Sequence, residues 1–194
     1  MGEMAEFDEL APDYENRMGP FFSMLEKRKP KELLKYVRGR GLEVGCGLGQ
    51  YVEQLNEAGC EVIGCDVSEG MIREAVRRSY ISAVVCDGRR LPFEDDSFDF
   101  TYTINTLHHT KDAKKILGEM MRVSRRTVVV GELNISNPFV RVFSSLMGID
   151  RDADMFTMHR FRGLMENGPW HARAYYQSFM LVPRVFLWGV LTRK

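Results

Sequence analysis

Residues 42–51 read LEVGCGLGQY: an apolar run breaks into three glycines at alternate positions, Gly45, Gly47 and Gly49, and passes at once into a helix-like pattern. This is how a strand turns sharply into a helix with its backbone left bare. Glycine accepts the positive φ such a turn requires and lets a ligand approach the peptide N–H groups. The first N–H groups of the following helix have no intrahelical partner and carry partial positive charge. The turn therefore suits a polar or anionic small molecule. In the dinucleotide version, GxGxxG, a third glycine allows close helix–strand packing. Counted from Gly45, that position is Gln50, so a nicotinamide oxidoreductase would lack a residue it needs.

Strand and helix signals alternate around this turn. Leu42–Val44, Val62–Cys65, Ala83–Cys86, Phe98–Ile104 and Thr127–Leu133 have strand character. Between them, Gln50–Ala58, a helix capped by Ser68 and running through Arg78, and Asp112–Val123 have helical spacing, with Gly59 as a stop signal. The alternation predicts an α/β fold: a doubly wound, mostly parallel, Rossmann-like sheet with helices on both faces. Ligands in such sheets sit beyond the carboxyl ends of the strands, where the strand order switches. Two predicted strands end in a carboxylate there, Asp66 in VIGCD, 21 residues after Gly45, and Asp87 in VVCDG. Asp66 is placed to accept from both hydroxyls of a ribose, or to cap a helix in competition with Ser68.

Upstream, Phe21–Arg38 has helical spacing with Pro30 as a break or a first-turn residue. Its basic residues, from Lys27 to Arg40, read as a solvated helix face or an RNA contact. Downstream, the apolar residues of Asn137–Asn167 predict two helices joined by the acidic turn IDRDAD, serving as core or as a pocket wall. His171–Phe179 and Val185–Leu191 then predict two strands across a turn at Pro183.

The stretch from about Phe7 to Gly131, through EVGCGLGQY, VIGCD, VVCDG, LPFEDDSFD and LHH, resembles the class I S-adenosylmethionine (SAM)-dependent methyltransferases, especially the small-molecule branch that includes the quinone-biosynthesis enzymes. The resemblance implies one domain over 1–194, with residues 1–40 as an N-terminal helical cap and 137–167 as an acceptor-side insert. It implies a seven-stranded sheet closed by an antiparallel C-terminal pair. It also implies SAM as cofactor. Gly45, Cys46 and Gly47 would line it, Asp66 would hold the ribose, and Val67 and Met71 would pack on adenine or ribose. Asp87 and Gly88 would meet the adenine edge. Glu43 would lie near the amino group or support the turn. Tyr14, Arg17, Asn105 and Leu107 would approach the methionyl end.

Methyl transfer from a sulfonium is an in-line displacement with a neutral leaving group, so alignment and exclusion of water carry much of the catalysis. A base is needed only where the acceptor must lose a proton. His108 and His109 are the candidates, against a purely structural role. The resemblance favours a small-molecule acceptor. NPPY, the variant used on planar amino groups, is absent, and Val123–Thr127 replaces the family's usual Lys-Pro-Gly-Gly turn. A tRNA or RNA methyltransferase and a non-catalytic SAM-binding module are the alternatives.

Charge adds little: Lys+Arg and Asp+Glu are each 27, which gives no global field for nucleic acid or membrane. From Arg141 to Lys194 the excess of basic residues is modest. The cysteines, Cys46, Cys60, Cys65 and Cys86, form no CxxC pair, and no metal site is expected, Glu94, Asp95 and Asp96 reading as a solvated loop. Free thiols and an acidic N-terminus without an apolar run fit a cytoplasmic chain. The apolar tail from Phe179 to Leu191 is broken by Pro183 and Arg184 and is too short to span a bilayer.

Overall fold

The computed structural model describes residues 7–9, 11–14, 29–79, 81–147, 156–165, 170–179 and 182–193. Its strands are β1 (Arg40–Val44), β2 (Glu61–Asp66), β3 (Ala83–Val85), β4 (Phe98–Ile104), β5 (Ser124–Leu133), β6 (Trp170–Phe179) and β7 (Val182–Arg193). They form one sheet in the order β3-β2-β1-β4-β5-β7-β6. The first five pair in parallel. β7 inserts antiparallel between β5 and β6. The order reverses direction between β1 and β4, which sets the ends of those two strands, Val44 and Ile104, side by side.

Two cores lie on the two faces. Helices α1 (Lys29–Leu33), α2 (Gln50–Glu57) and α3 (Glu69–Ser79) cover one, and α4 (Ala113–Val123) and α6 (Met158–Met165) the other. Strand alternation feeds both: in β5, Val129 faces the first core while Val128 and Val130 face the second. Gly59, at φ 88°, ends α2 in the left-handed conformation that suits glycine.

Three sequence expectations change. The expected helix to Arg38 stops at Leu33, where the Lys35 and Tyr36 N–H groups bond three residues back and tighten the chain into a turn ahead of β1. The part from 21 to 28 lies outside the described residues. Pro183 is not in the hairpin turn but at the start of β7. It fits there because pairing is irregular between Gln177 and Phe179 and Arg184 takes φ 55°, so no regular ladder bond is lost. The two insert helices also part company. α6 buries Phe161, Leu164 and Met165 beneath β7 as core, while α5 (Pro138–Met147) buries Val140 but leaves Phe139 and Val142 exposed. The acidic connection between them is outside the described residues.

The linker LPFEDDSFD is held to α4 by two side chains. Arg122 donates to Glu119, to the Leu91 and Phe93 carbonyls and to Asp95. Glu119 in turn accepts the Leu91 N–H at 2.9 Å, and Phe93 stands edge-on to buried Phe98, 5.0 Å between centroids. Arg122 guanidinium holds the Glu119 carboxyl below its ordinary range. Asp95 and Asp96 pair with Arg122 and Arg193, and among the described residues no acidic, histidine or cysteine group is arranged for a metal. Arg122→Ala should therefore lower stability by about 1–2 kcal/mol in denaturant titration, the lost charged hydrogen bonds being discounted for partial solvent access. Arg73→Ala, which breaks an exposed pair with Glu69, should leave the midpoint unchanged.

Candidate functional site

The glycine turn leaves β1 at the switch point. The Gly45 and Cys46 N–H groups both bond the Cys65 carbonyl, at 2.8 and 3.0 Å, which ties the turn to β2. Gly45, Gly47 and Gly49 all take positive φ, 74°, 50° and 75°. Their surroundings differ. A Cβ on Gly45 would collide with Thr106 and one on Gly49 with Ile81, whereas one on Gly47 would meet nothing within 4 Å. Gly45 and Gly49 are thus required by packing as well as by φ. Gly47 faces open space, with its N–H turned to Asp66.

Asp66 closes that space from β2. One carboxylate oxygen accepts the Gly47 N–H and the other the Ser68 N–H, each at 2.9 Å. Burial pushes its pKa up, with these hydrogen bonds working in the opposite direction. The capping role belongs to Ser68, whose hydroxyl accepts the Met71 N–H at 3.1 Å. Val67, 39% exposed, leaves an apolar surface beside Asp66. Met71 is 2% exposed and packs with Leu48 and Ala11, with Phe7 and Tyr14 against the cluster. Met71 is therefore core, and Tyr14 packs against the same cluster; Arg17 lies outside the described residues.

Asp87 and Gly88 follow β3. Gly88 packs against Val44 and Ile116, where a Cβ would be tight. The Asp87 carboxylate is gripped by Arg89, whose guanidinium also reaches Asp112 at 3.1 Å. That pairing holds Asp87 below the usual carboxylate range. Glu43 is buried and accepts from the Tyr102 hydroxyl at 3.0 Å. Buried in this way, it braces the start of the turn from beneath. Cys46 is buried too, and burial raises its pKa well above the ordinary thiol value.

The loop after β4 forms the other wall. Asn105 takes a left-handed φ of 52° and donates its N–H to the Gly131 carbonyl at 2.8 Å. Thr106 then places its hydroxyl 3.2 Å from the Gly45 carbonyl. Residues 107–109 make a single 3-10 turn. The Leu107 side chain is fully buried in the second core, so it does not face the site. His108 is 2% exposed, its Nδ1 2.5 Å from Glu132. His109 is only partly buried and stacks between the His108 ring at 4.1 Å and the edge of Phe7 at 5.1 Å. The two histidines therefore occupy different environments.

Three residues were not singled out in the sequence. Glu132, next to last in β5, holds the histidine loop. Asp8 accepts the Ser68 hydroxyl at 2.6 Å and the Gly70 N–H at 2.8 Å, latching the N-terminal segment onto α3. Thr106 joins the two walls. The charge of Glu132 inside the apolar run VVVGEL was a readable signal. Asp8 and Thr106 gave none, because their partners are 60 and 61 residues away.

Residues 42–130 match a methyltransferase domain family. The chain is 32% identical over 153 residues to a demethylmenaquinone methyltransferase of Renibacterium salmoninarum, covering 74% of this chain and 64% of that one. It is 30% identical over 111 residues to the human probable tRNA methyltransferase 9B, covering 57% of this chain and 22% of that one. The chain thus spans less than two thirds of the length of these curated relatives. Among solved structures, the magnesium protoporphyrin IX methyltransferase of Synechocystis with bound SAH superposes with a TM-score of 0.76 at 15% identity, over 100% of both chains. The domain match over residues 42–130, the strand order and the glycine turn at the switch point together make this chain similar to the class I SAM-dependent methyltransferases.

Proposed function

We propose that the protein binds SAM at the switch point and catalyses transfer of its methyl group to a small-molecule acceptor. The observation that carries this reading is the open space at Gly47 beside the Asp66 carboxylate. A ribose diol fits that pair of features. Each Asp66 oxygen accepts a backbone N–H, with the Val67 N–H also acting on the carboxylate, and a carboxylate has about four lone-pair sites, so acceptor capacity remains for a hydroxyl. Val67 offers an apolar surface for the base, and Asp87 an acceptor for its amino group once Arg89 shares it. The relatives with menaquinone-precursor and magnesium-protoporphyrin names support a small, largely apolar acceptor.

Bound SAM would supply a methyl group on a positively charged sulfonium. The chain's own residues would hold the ribose at Asp66, shape the cofactor wall through Gly45 and Gly47, and exclude water with Phe7 and Tyr14. Of the two histidines, the partly buried His109 would be the one to touch an acceptor. His108 is enclosed and serves the loop. On the acceptor side, α5 presents Phe139 and Val142 to the exterior, which suits an apolar ligand.

An RNA acceptor is the second reading. It is favoured by the similarity to the probable tRNA methyltransferase and by the exposed Arg184, which stacks 5.2 Å over Tyr176 on the C-terminal strand pair. Labelled SAM incubated with separate small-molecule and RNA fractions distinguishes the two. Label is expected in the small-molecule fraction, with Phe139→Trp altering acceptor selectivity but not SAH affinity. Label only in RNA would transfer the assignment to that class.

Two binding predictions follow from the site. By calorimetry SAH should bind at micromolar strength and NAD should not, since Gln50 stands where the dinucleotide turn has glycine; the converse result would refute the SAM reading. Asp66→Asn should weaken SAH binding by about tenfold or more, roughly 1.4 kcal/mol. On the apo protein near neutral pH the same change has two opposed effects, removal of the charge-burial cost and loss of one backbone hydrogen bond as the amide NH2 meets the Gly47 or Ser68 N–H, so little net change in stability is expected. The sign of the first follows from linkage: a carboxyl whose folded pKa is raised costs stability as pH rises through its unfolded and then its folded pKa. The Asn variant does not pay that cost. For the same reason, SAH affinity of the wild type should begin to fall at a higher pH on acidification than for an ordinary carboxylate.

A further inference from the structure

Glu132 is 1% exposed, yet three consecutive residues of one loop point donors at it. Oε1 accepts the Leu107 N–H at 2.8 Å and the Thr106 N–H at 3.3 Å, and Oε2 meets His108 Nδ1 at 2.5 Å. The left-handed φ of Asn105 makes this convergence possible, turning the chain so that three successive groups face one carboxylate. The consequence extends across the site. With Thr106 fixed by Glu132, its side chain lies against Gly45 where no Cβ fits. With His108 fixed, its ring supports His109, which meets Phe7 of the N-terminal segment.

We propose that Glu132 is a positioning residue for methyl transfer, acting through the Thr106–His108 backbone and the His108 imidazole to set the cofactor wall and His109 in one fixed relation. With Oε1 already accepting two backbone N–H groups, Oε2 is the acceptor that favours the His108 tautomer with its proton on Nδ1. Glu132 does not touch the reacting atoms. Its effect is on alignment, and a displacement of about 1 Å in a reacting pair is enough to cost on the order of 100-fold in rate. The proposal rests on the SAM-dependent reading of the site.

The test uses the full chain, with SAH as binding probe and labelled SAM plus the small-molecule fraction as transfer probe. Protein carrying ¹⁵N-histidine should show a far-downfield His108 Nδ1–H proton resonance, and addition of SAH should shift His108 and His109 signals together. Glu132→Gln should abolish the downfield resonance and uncouple His109 from SAH. It should reduce methyl transfer by about 100-fold while SAH affinity changes by less than about tenfold. His108→Asn, which keeps a donor near Oε2 and leaves both backbone bonds to Oε1, should retain more transfer than Glu132→Gln. It also reports on the proposal if Glu132→Gln fails to fold. Absence of the downfield resonance in the wild type, wild-type transfer by Glu132→Gln, or His108→Asn as inactive as Glu132→Gln would each overturn the positioning role. Failure of the wild type to bind SAH would instead remove the SAM reading, with the resonance still reporting on the Glu132–His108 pair.

Discussion

The close approach of Gly45 to Thr106 is the constraint on which the site depends. β1 and β4 are sheet neighbours, and their loops leave in contact, with the Thr106 methyl occupying the volume a Cβ on Gly45 would need. Sequence-distant groups hold both loops from below. On the β1 side, Glu43 is buried and bonded by Tyr102; on the β4 side, Glu132 gathers the donors of residues 106–108. A buried charge that loses its partner destabilises a fold by roughly 3–5 kcal/mol. Each of these carboxylates is therefore tolerable only while its loop keeps the observed shape. Local geometry and global stability are joined at the two places where these loops are held.

The glycines show how one motif serves separate demands. Gly49 lets α2 begin against Ile81, Gly45 lets two loops touch, and Gly47 leaves room outside. Only the last leaves room that no packing contact claims. A substitution at Gly45 or Gly49 would disturb packing and cofactor binding together, whereas a small side chain at Gly47 would chiefly obstruct the approach to Asp66, with some backbone strain from its positive φ.

Much of the architecture was legible because it is periodic. The βα alternation, the glycine turn and the carboxylates at the ends of β2 and β3 are local patterns, and each element appears within a few residues of its expected place. What was not legible arises from tertiary choice. Leu107 and Met71 carry side chains that suit either a ligand wall or a core, and the fold buries both. The adjacent histidines are indistinguishable in sequence, yet the 3-10 turn sends one to Glu132 and leaves the other beside Phe7. The helices α5 and α6 both carry apolar stripes, yet α6 buries Phe161, Leu164 and Met165, where Gly189 leaves space for the Met165 sulfur, while α5 buries Val140 and leaves Phe139 and Val142 exposed. Pro183 was read as punctuation, whereas a bulged strand start accommodates it equally well.

The latch made by Asp8 has an electrostatic consequence. It answers the first donors of α3 with a carboxylate of the chain itself, so that helix end is no longer a vacant anion seat. Asp66, Asp87, Glu43 and Glu132 stand around the same strand ends. The nearby Arg89 is already engaged by Asp87 and Asp112. Among the described residues these carboxylates favour a cationic or neutral guest over a phosphorylated one. A ligand that enters with a positive charge and leaves without it would be held more firmly before reaction than after, so the same field that gathers the cofactor would also help to release its spent form.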